Sequence, residues 1–184
     1  MVHRLIIGMI LASTLFGETE GPGLQKDFDT RIGEYLKVRK KAIEGIPALK
    51  PKATPEQIQA RKAAVLQAIR EARQDAQQGV VFTPEIQEHF REIIRSEMRG
   101  RQGVPAKAAA KQGNPTTEKL PAPVPVKVNA PYPEFAPLST VPATLLLRLP
   151  KLPKELDFRF VGRNLILRDT DASLIVDYIP NATP

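Results

Sequence analysis

The stretch at 140–182 reads TVPATLLLRLPKLPKELDFRFVGRNLILRDTDASLIVDYIPNA, and its pattern decides the fold. Three short runs alternate in it: Leu156–Val161 (LDFRFV), Asn164–Asp169 (NLILRD) and 173–179 (SLIVDYI). Aromatic and β-branched residues bounded by Gly, Asn and Asp mark strands joined by hairpins. A two-residue Gly162-Arg163 loop with Gly first suits a type II′ turn. It pairs Phe160 with Leu165, Phe158 with Leu167 and Asp157 with Arg168. The apolar residues then share one face and a charge pair lies on the other. A three-residue loop breaks that agreement. A Thr170-Asp171 turn likewise sets Leu167 against Leu174 and Leu165 against Val176. The expected product is a three-stranded antiparallel meander.

One face of this meander carries Phe158, Phe160, Leu165, Leu167, Leu174, Val176 and Tyr178. So small a sheet needs a cover. The expected cover is a short helix within 142–149, stopped by Pro150. The opposite face still carries Val161, Ile166, Ile175 and Ile179. These four are the candidate partner surface, for an envelope protein or a second copy of the chain. Asp169 and Asp171 read as turn residues. Asp177 is expected to point outward or to pair with Arg168.

The rest of the chain divides by composition. Eighteen prolines, most of them after residue 103, argue against one compact globule. Met1–Arg4 and the apolar run LIIGMILASTLF at 5–16 resemble a signal peptide, whose apolar core is about 7–15 residues. The expected divisions are a signal peptide at 1–17, a helical segment at 24–101, a Pro/Ala-rich linker at 102–137 and the α/β meander module at 138–182. The fold class is α+β. Export implies a periplasmic or secreted protein, in contact with the membrane only through the signal segment.

Three helices are expected in the helical segment. The first, at 27–44, sets Phe28, Ile32, Tyr35, Leu36 and Ile43 on one side, with Arg39 intruding. The second, at 54–78, has the clearest start: Thr54 as N-cap, Pro55 at the first helical position, and Gln57 completing a capping box. Its stripe of Ile58, Val65, Ile69, Ala72 and Ala76 is interrupted by Lys62. The third, at 83–99, repeats the opening with Thr83 and Pro84 and carries Ile86, Phe90, Ile93 and Ile94. Near-alternate prolines in the linker favour an extended polyproline conformation.

Two resemblances bear on function. The block FVGRNLILRDTDASLIVDYIP at 160–180 resembles the end of a group of uncharacterised exported bacterial proteins. It is more loosely similar to the C-terminal hairpin of periplasmic nickel/cobalt-homeostasis proteins. There a YRxV-type strand, a short turn, an LLL-type strand and an IVD-type strand follow LP-rich sequence. That resemblance covers the last quarter of the chain and implies a structural pattern, with no metal role carried across. The openings ATPEQ at 53–57 and TPEI at 83–86 resemble the LTxxQ motif of small helical periplasmic stress chaperones. Ala53 stands where that motif has Leu, and Ile86 where it has Gln. Capping alone also accounts for both.

Composition removes several chemistries. Cysteine is absent, which excludes disulfides, thiol catalysis and thiolate metal sites. No nucleophile elbow, P-loop, dinucleotide fingerprint or HExxH motif occurs. Past the signal, His89 is the one histidine, with Glu85 and Glu92 a helical turn away on either side. A charged helix flank explains the three more simply than a cation site. The expected catalytic, cofactor and metal residues are therefore none. The formal charge of +7 falls mostly on the helical segment, where 24–103 holds sixteen Lys/Arg against eleven Asp/Glu. It reads as a solvated basic surface or as an attraction for an anionic partner. Export argues against nucleic acid, and no small-molecule substrate is evident. The leading expectation is a noncatalytic envelope protein, not an enzyme, whose C-terminal module mediates protein interaction or self-association. The alternatives are a periplasmic stress chaperone working through the basic helices and a metal-homeostasis accessory protein.

Overall fold

The computed structural model describes residues 20–117 and 119–184. The expected signal segment at 1–17 lies outside the described residues. The fold is α+β: α1 (Glu20–Ala42), α2 (Pro55–Ala72), α3 (Pro84–Glu97), α4 (Val104–Lys111) and α5 (Ala143–Leu146) precede the strands. The strands are β1 (Leu156–Val161), β2 (Asn164–Asp169) and β3 (Leu174–Ile179), in sheet order β1-β2-β3. No helix among the described residues is long and apolar enough to cross a membrane.

The helix starts follow from side-chain chemistry. Thr54 Oγ accepts from the Gln57 backbone N–H at 3.3 Å, and Gln57 Oε1 accepts from the Thr54 backbone N–H at 3.0 Å. Thr83 caps α3 in the same way by accepting from the Ile86 N–H. Each cap satisfies an N–H that has no partner inside its helix. Thr54→Ala is expected to cost about 1 kcal/mol. A lower urea midpoint at unchanged slope would show it, and an unmoved midpoint would mean that tertiary packing alone holds this end.

The β1–β2 hairpin has the register set by its turn: Phe160 faces Leu165, Phe158 faces Leu167 and Asp157 faces Arg168. Gly162 takes φ +60°, while Arg163 stays on the negative side, as a type II′ turn requires. The second hairpin departs from the expectation. Its loop is four residues long, and Leu165 pairs with Ile179, Leu167 with Asp177 and Asp169 with Leu174. Asp169 Oδ1 accepts from the Ala172 N–H, which folds the loop on itself, and Ser173 takes φ +47°. A bulge opposite Leu167/Arg168 then shifts the rest of β3 by one residue. Asp177 and Ile179 consequently turn toward the helices, and Tyr178 turns to the other face.

The helical face of the sheet and the helices share one core. Phe28 of α1, Phe82 of the α2–α3 loop, Phe90 of α3 and Phe158 of β1 pack with ring centroids 5.4–6.4 Å apart. Val65 and Ile69 of α2, Ala106 and Ala110 of α4 and Leu145 of α5 belong to the same buried cluster. The helices and the meander are therefore not separate modules. Each helix is apolar on one stripe only, and the sheet is the surface that buries those stripes together.

The stretch expected as a linker, 102–137, is not a tether in this structure. It opens with α4, and Asn114 clamps the β1–β2 turn by exchanging two hydrogen bonds with the Gly162 backbone, at 2.8 and 2.9 Å. Its Pro-rich part crosses the second face of the sheet. Tyr132 and Ala136 bury Val161, Ile166 and Ile175, with Leu120, Val124, Val126 and Tyr178 packed around them. An extended proline-rich segment suits this task because its conformation needs no hydrogen bonds of its own. A sheet apolar on both faces needs such a cover.

Candidate functional site

Between α1, α2 and the sheet lies a layer of buried charge. The Asp169 carboxylate is fully buried and accepts from Tyr35 Oη at 2.7 Å and Arg39 Nε at 2.6 Å. Arg39 also reaches Asp171 on the loop. The arginine that interrupts the apolar stripe of α1 is thus the residue that ties α1 to the β2–β3 loop. Burial pulls the Arg39 guanidinium downward, but the hydrogen bond and charge of Asp169, joined by Asp171, more than offset it, and the net direction is upward. Burial and the neighbouring Asp169 carboxylate push the Tyr35 phenol well up.

Asp177 is the second buried acid. The bulge aims it at the α2–α3 loop, where its two oxygens accept from the backbone N–H groups of Gly79, Val81, Phe82 and Tyr178 at 2.8–3.0 Å. The outward orientation expected from strand alternation is corrected here. Alternation holds only as far as the bulge, and beyond it the faces exchange. Burial pushes the Asp177 carboxyl up from its usual range, opposed by those N–H groups.

Arg73, just past α2, lies across the Tyr35 ring at 5.0 Å from its centroid. Nη1 donates to Asn129 Oδ1 at 2.7 Å and Nη2 to the Val176 carbonyl at 3.0 Å. It thereby joins α2, the Pro-rich segment and the outer edge of β3. Burial lowers its pKa, and the charges of Tyr35, Asp177 and Asp169 oppose this. Arg73 and Tyr35 form the floor of a cavity of about 420 Å³ between α1 and α2, walled by Val38, Ala76 and Val80.

The two sheet edges differ. Along β3, Asn129 N–H donates to Ile175 O, Ile175 N–H to Ala130 O and Tyr132 N–H to Ser173 O. Arg73 and Gln78 take the carbonyls of Val176 and Tyr178. That edge is sealed. On β1 the odd-numbered residues face β2, so Leu156, Phe158 and Phe160 direct their backbone groups outward. Ser139 Oγ accepts from the Phe160 N–H, and the Leu156 N–H is spent on Pro153 O. The Phe158 N–H and the carbonyls of Leu156 and Phe158 make no hydrogen bond with a described residue, although Phe158 and Leu156 are buried, at 4 % and 5 % exposure. A groove of about 480 Å³ runs beside them, lined by Val141, Leu146, Pro150 and Leu152. Leu147, next to it, is 87 % exposed. Lys151, on the rim of this groove, and nearby Lys154 have no carboxylate partner among the described residues.

The residues singled out in the sequence fall elsewhere. Val161, Ile166, Ile175 and Ile179 are buried at 0–2 % exposure, so the candidate partner surface is internal to the chain. The first three lie under the Pro-rich segment, and the bulge turns Ile179 into the main core. Lys62, the interruption in the α2 stripe, pairs with Glu134 of the Pro-rich segment at 2.8 Å. His89, Glu85 and Glu92 lie on α3, and among the described residues no group of three or more such side chains is placed to hold a metal ion.

No family model, curated protein or solved structure matches this chain. Its geometry therefore stands as the ground for a functional reading. The β1 edge was missed in the sequence because edge status is a property of sheet order. The one available signal was LLLRLPKLPK at 145–154, an apolar and basic run leading into the first strand.

Proposed function

We propose that the chain is a noncatalytic protein of the bacterial envelope that docks an extended segment of a partner protein along β1. The observation that carries this reading is the asymmetry of the sheet: one edge is sealed at successive positions, and the other leaves backbone groups of Leu156 and Phe158 unpaired beside an apolar groove. Adding a strand to an open edge supplies backbone hydrogen bonds, and the adjoining groove selects side chains. Lys151 and Lys154 favour an acidic segment, and the net charge of +7 favours its approach. The signal-like N-terminal sequence supports the envelope location.

The test uses the full chain labelled with nitrogen-15 and an eight-residue peptide of alternating Glu and Val. The Phe158 amide is expected to shift, and Lys151→Glu with Lys154→Glu is expected to weaken binding by about tenfold or more. A Phe158 amide that does not respond would overturn the reading. So would equal binding of a peptide of alternating Lys and Val.

A further inference from the structure

Three arginines are buried among the described residues: Arg39, Arg73 and Arg168. Arg39 is paired with Asp169 and Arg168 with Asp157. Arg73, at 8 % exposure, has no carboxylate within ion-pair distance among the described residues. Its two terminal nitrogens donate to a neutral amide and a neutral carbonyl, and its Nε–H to no described residue. Asp169 and Asp177 act on it only from beyond ion-pair distance, so an anion that reaches its Nε–H gains a charge-assisted hydrogen bond that no carboxylate of the described residues makes.

The cavity above Arg73 has the form of a small-molecule site, a concave apolar space with few polar groups. At its mouth Val38 and Val80 are 37 % and 44 % exposed, so apolar surface is presented to solvent beside the cation. We propose that this cavity binds a small monocarboxylate with an apolar body, its carboxylate received by Arg73 and its chain lying against Val38 and Val80. The rim sharpens the class. Glu34 is held by Lys37 and Arg31 by Asp27, which leaves Asp75 as the uncompensated rim charge. A dianion such as a phosphate monoester gives up far more hydration on entering this apolar space than a monocarboxylate does, and Asp75 at the rim adds repulsion, so a single charge suits the site better. The site lies on the helical side of the sheet, away from the β1 edge, and does not depend on the docking reading.

The experiment is calorimetric titration of the full chain with octanoate, 1-octanol and octyl phosphate. Octanoate is expected to bind at least about tenfold more tightly than either of the others. Arg73→Gln should bring octanoate down to the level of octanol. Arg73 also bridges elements, so a second variant, Ala76→Phe, fills the cavity while keeping Arg73 and its hydrogen-bond partners in the chain, and should abolish binding of octanoate. Octanoate that fails to bind, that binds no better than octanol, or that binds Ala76→Phe unchanged would overturn the proposal.

Discussion

Replacing Asp177 with alanine is expected to lower the unfolding free energy by about 4 kcal/mol or more. The carboxylate is fully buried and accepts four backbone N–H groups, three of them in the α2–α3 loop. Without it those donors stay buried and unpaired, each at a cost of about 1–3 kcal/mol. The same loop delivers Phe82 to the aromatic cluster, so loosening it also disturbs contacts with Phe28, Phe90 and Phe158. Asp177→Asn keeps the shape and one acceptor oxygen but turns an NH₂ group toward backbone donors, so it should lose about half as much. Urea unfolding of the three proteins checks this. A loss below about 1 kcal/mol for the alanine variant would mean that water replaces the carboxylate at no great cost.

The second large effect is expected at Asp169. Its removal leaves the Arg39 Nε–H and the Tyr35 hydroxyl without their acceptor in the interior, with Arg39 still held at Nη2 by the half-exposed Asp171, and breaking one side of a buried pair costs about 3–5 kcal/mol. The pair itself need not add net stability, because desolvation of two charges opposes their attraction. Arg39→Met combined with Asp169→Leu is therefore expected to recover most of the loss of Asp169→Ala. A double variant as unstable as the single one would show that the pair contributes more than shape. The comparison also tests specificity. Asp169 Oδ1 closes the β2–β3 loop through the Ala172 N–H, so a stable double variant with altered amide shifts across 170–173 would assign loop geometry to this acid.

Strand alternation alone misplaces Asp177, whereas Asp169 keeps the face of Leu165 and Leu167 and only its partners on α1 are out of reach of the sequence. The first hairpin was legible because everything that sets it lies within a few residues: a Gly at the turn, apolar alternation on either side and one charge pair across. The second was not. Its four-residue loop depends on one carboxylate oxygen of Asp169, and its bulge carries Asp177 from the expected outer face to the inner one. The longer loop moves the register by two and leaves Leu174, Ile175 and Val176 on their expected faces, but the bulge is a one-residue slip and exchanges the faces of the residues beyond it. Ile179 was misassigned for that reason.

The irregular residues in the helix stripes were legible as exceptions, without their partners. Arg39 breaks the stripe of α1 and meets Asp169, 130 positions away; Lys62 breaks that of α2 and meets Glu134. A charged residue on an apolar face that folds stably has a partner brought to it by another element. That generalisation locates the exception but not the partner, since pairing across such separations carries no local period.

The candidate sites divide in the same way. The sequence alone determined the α+β class, the capped starts of α2 and α3, the strand identities and the β1–β2 register, all of which rest on contacts between near neighbours in the chain. Only the tertiary structure decided that the Pro-rich stretch covers the second face of the sheet, that β1 keeps unpaired backbone groups beside a groove and that Arg73 lies buried with no carboxylate of the described residues within ion-pair distance. Each of these depends on which distant segment occupies a surface first. Alternation and capping are satisfied equally well whether that segment packs or hangs free; burial of a sheet apolar on both faces is satisfied in only one of the two.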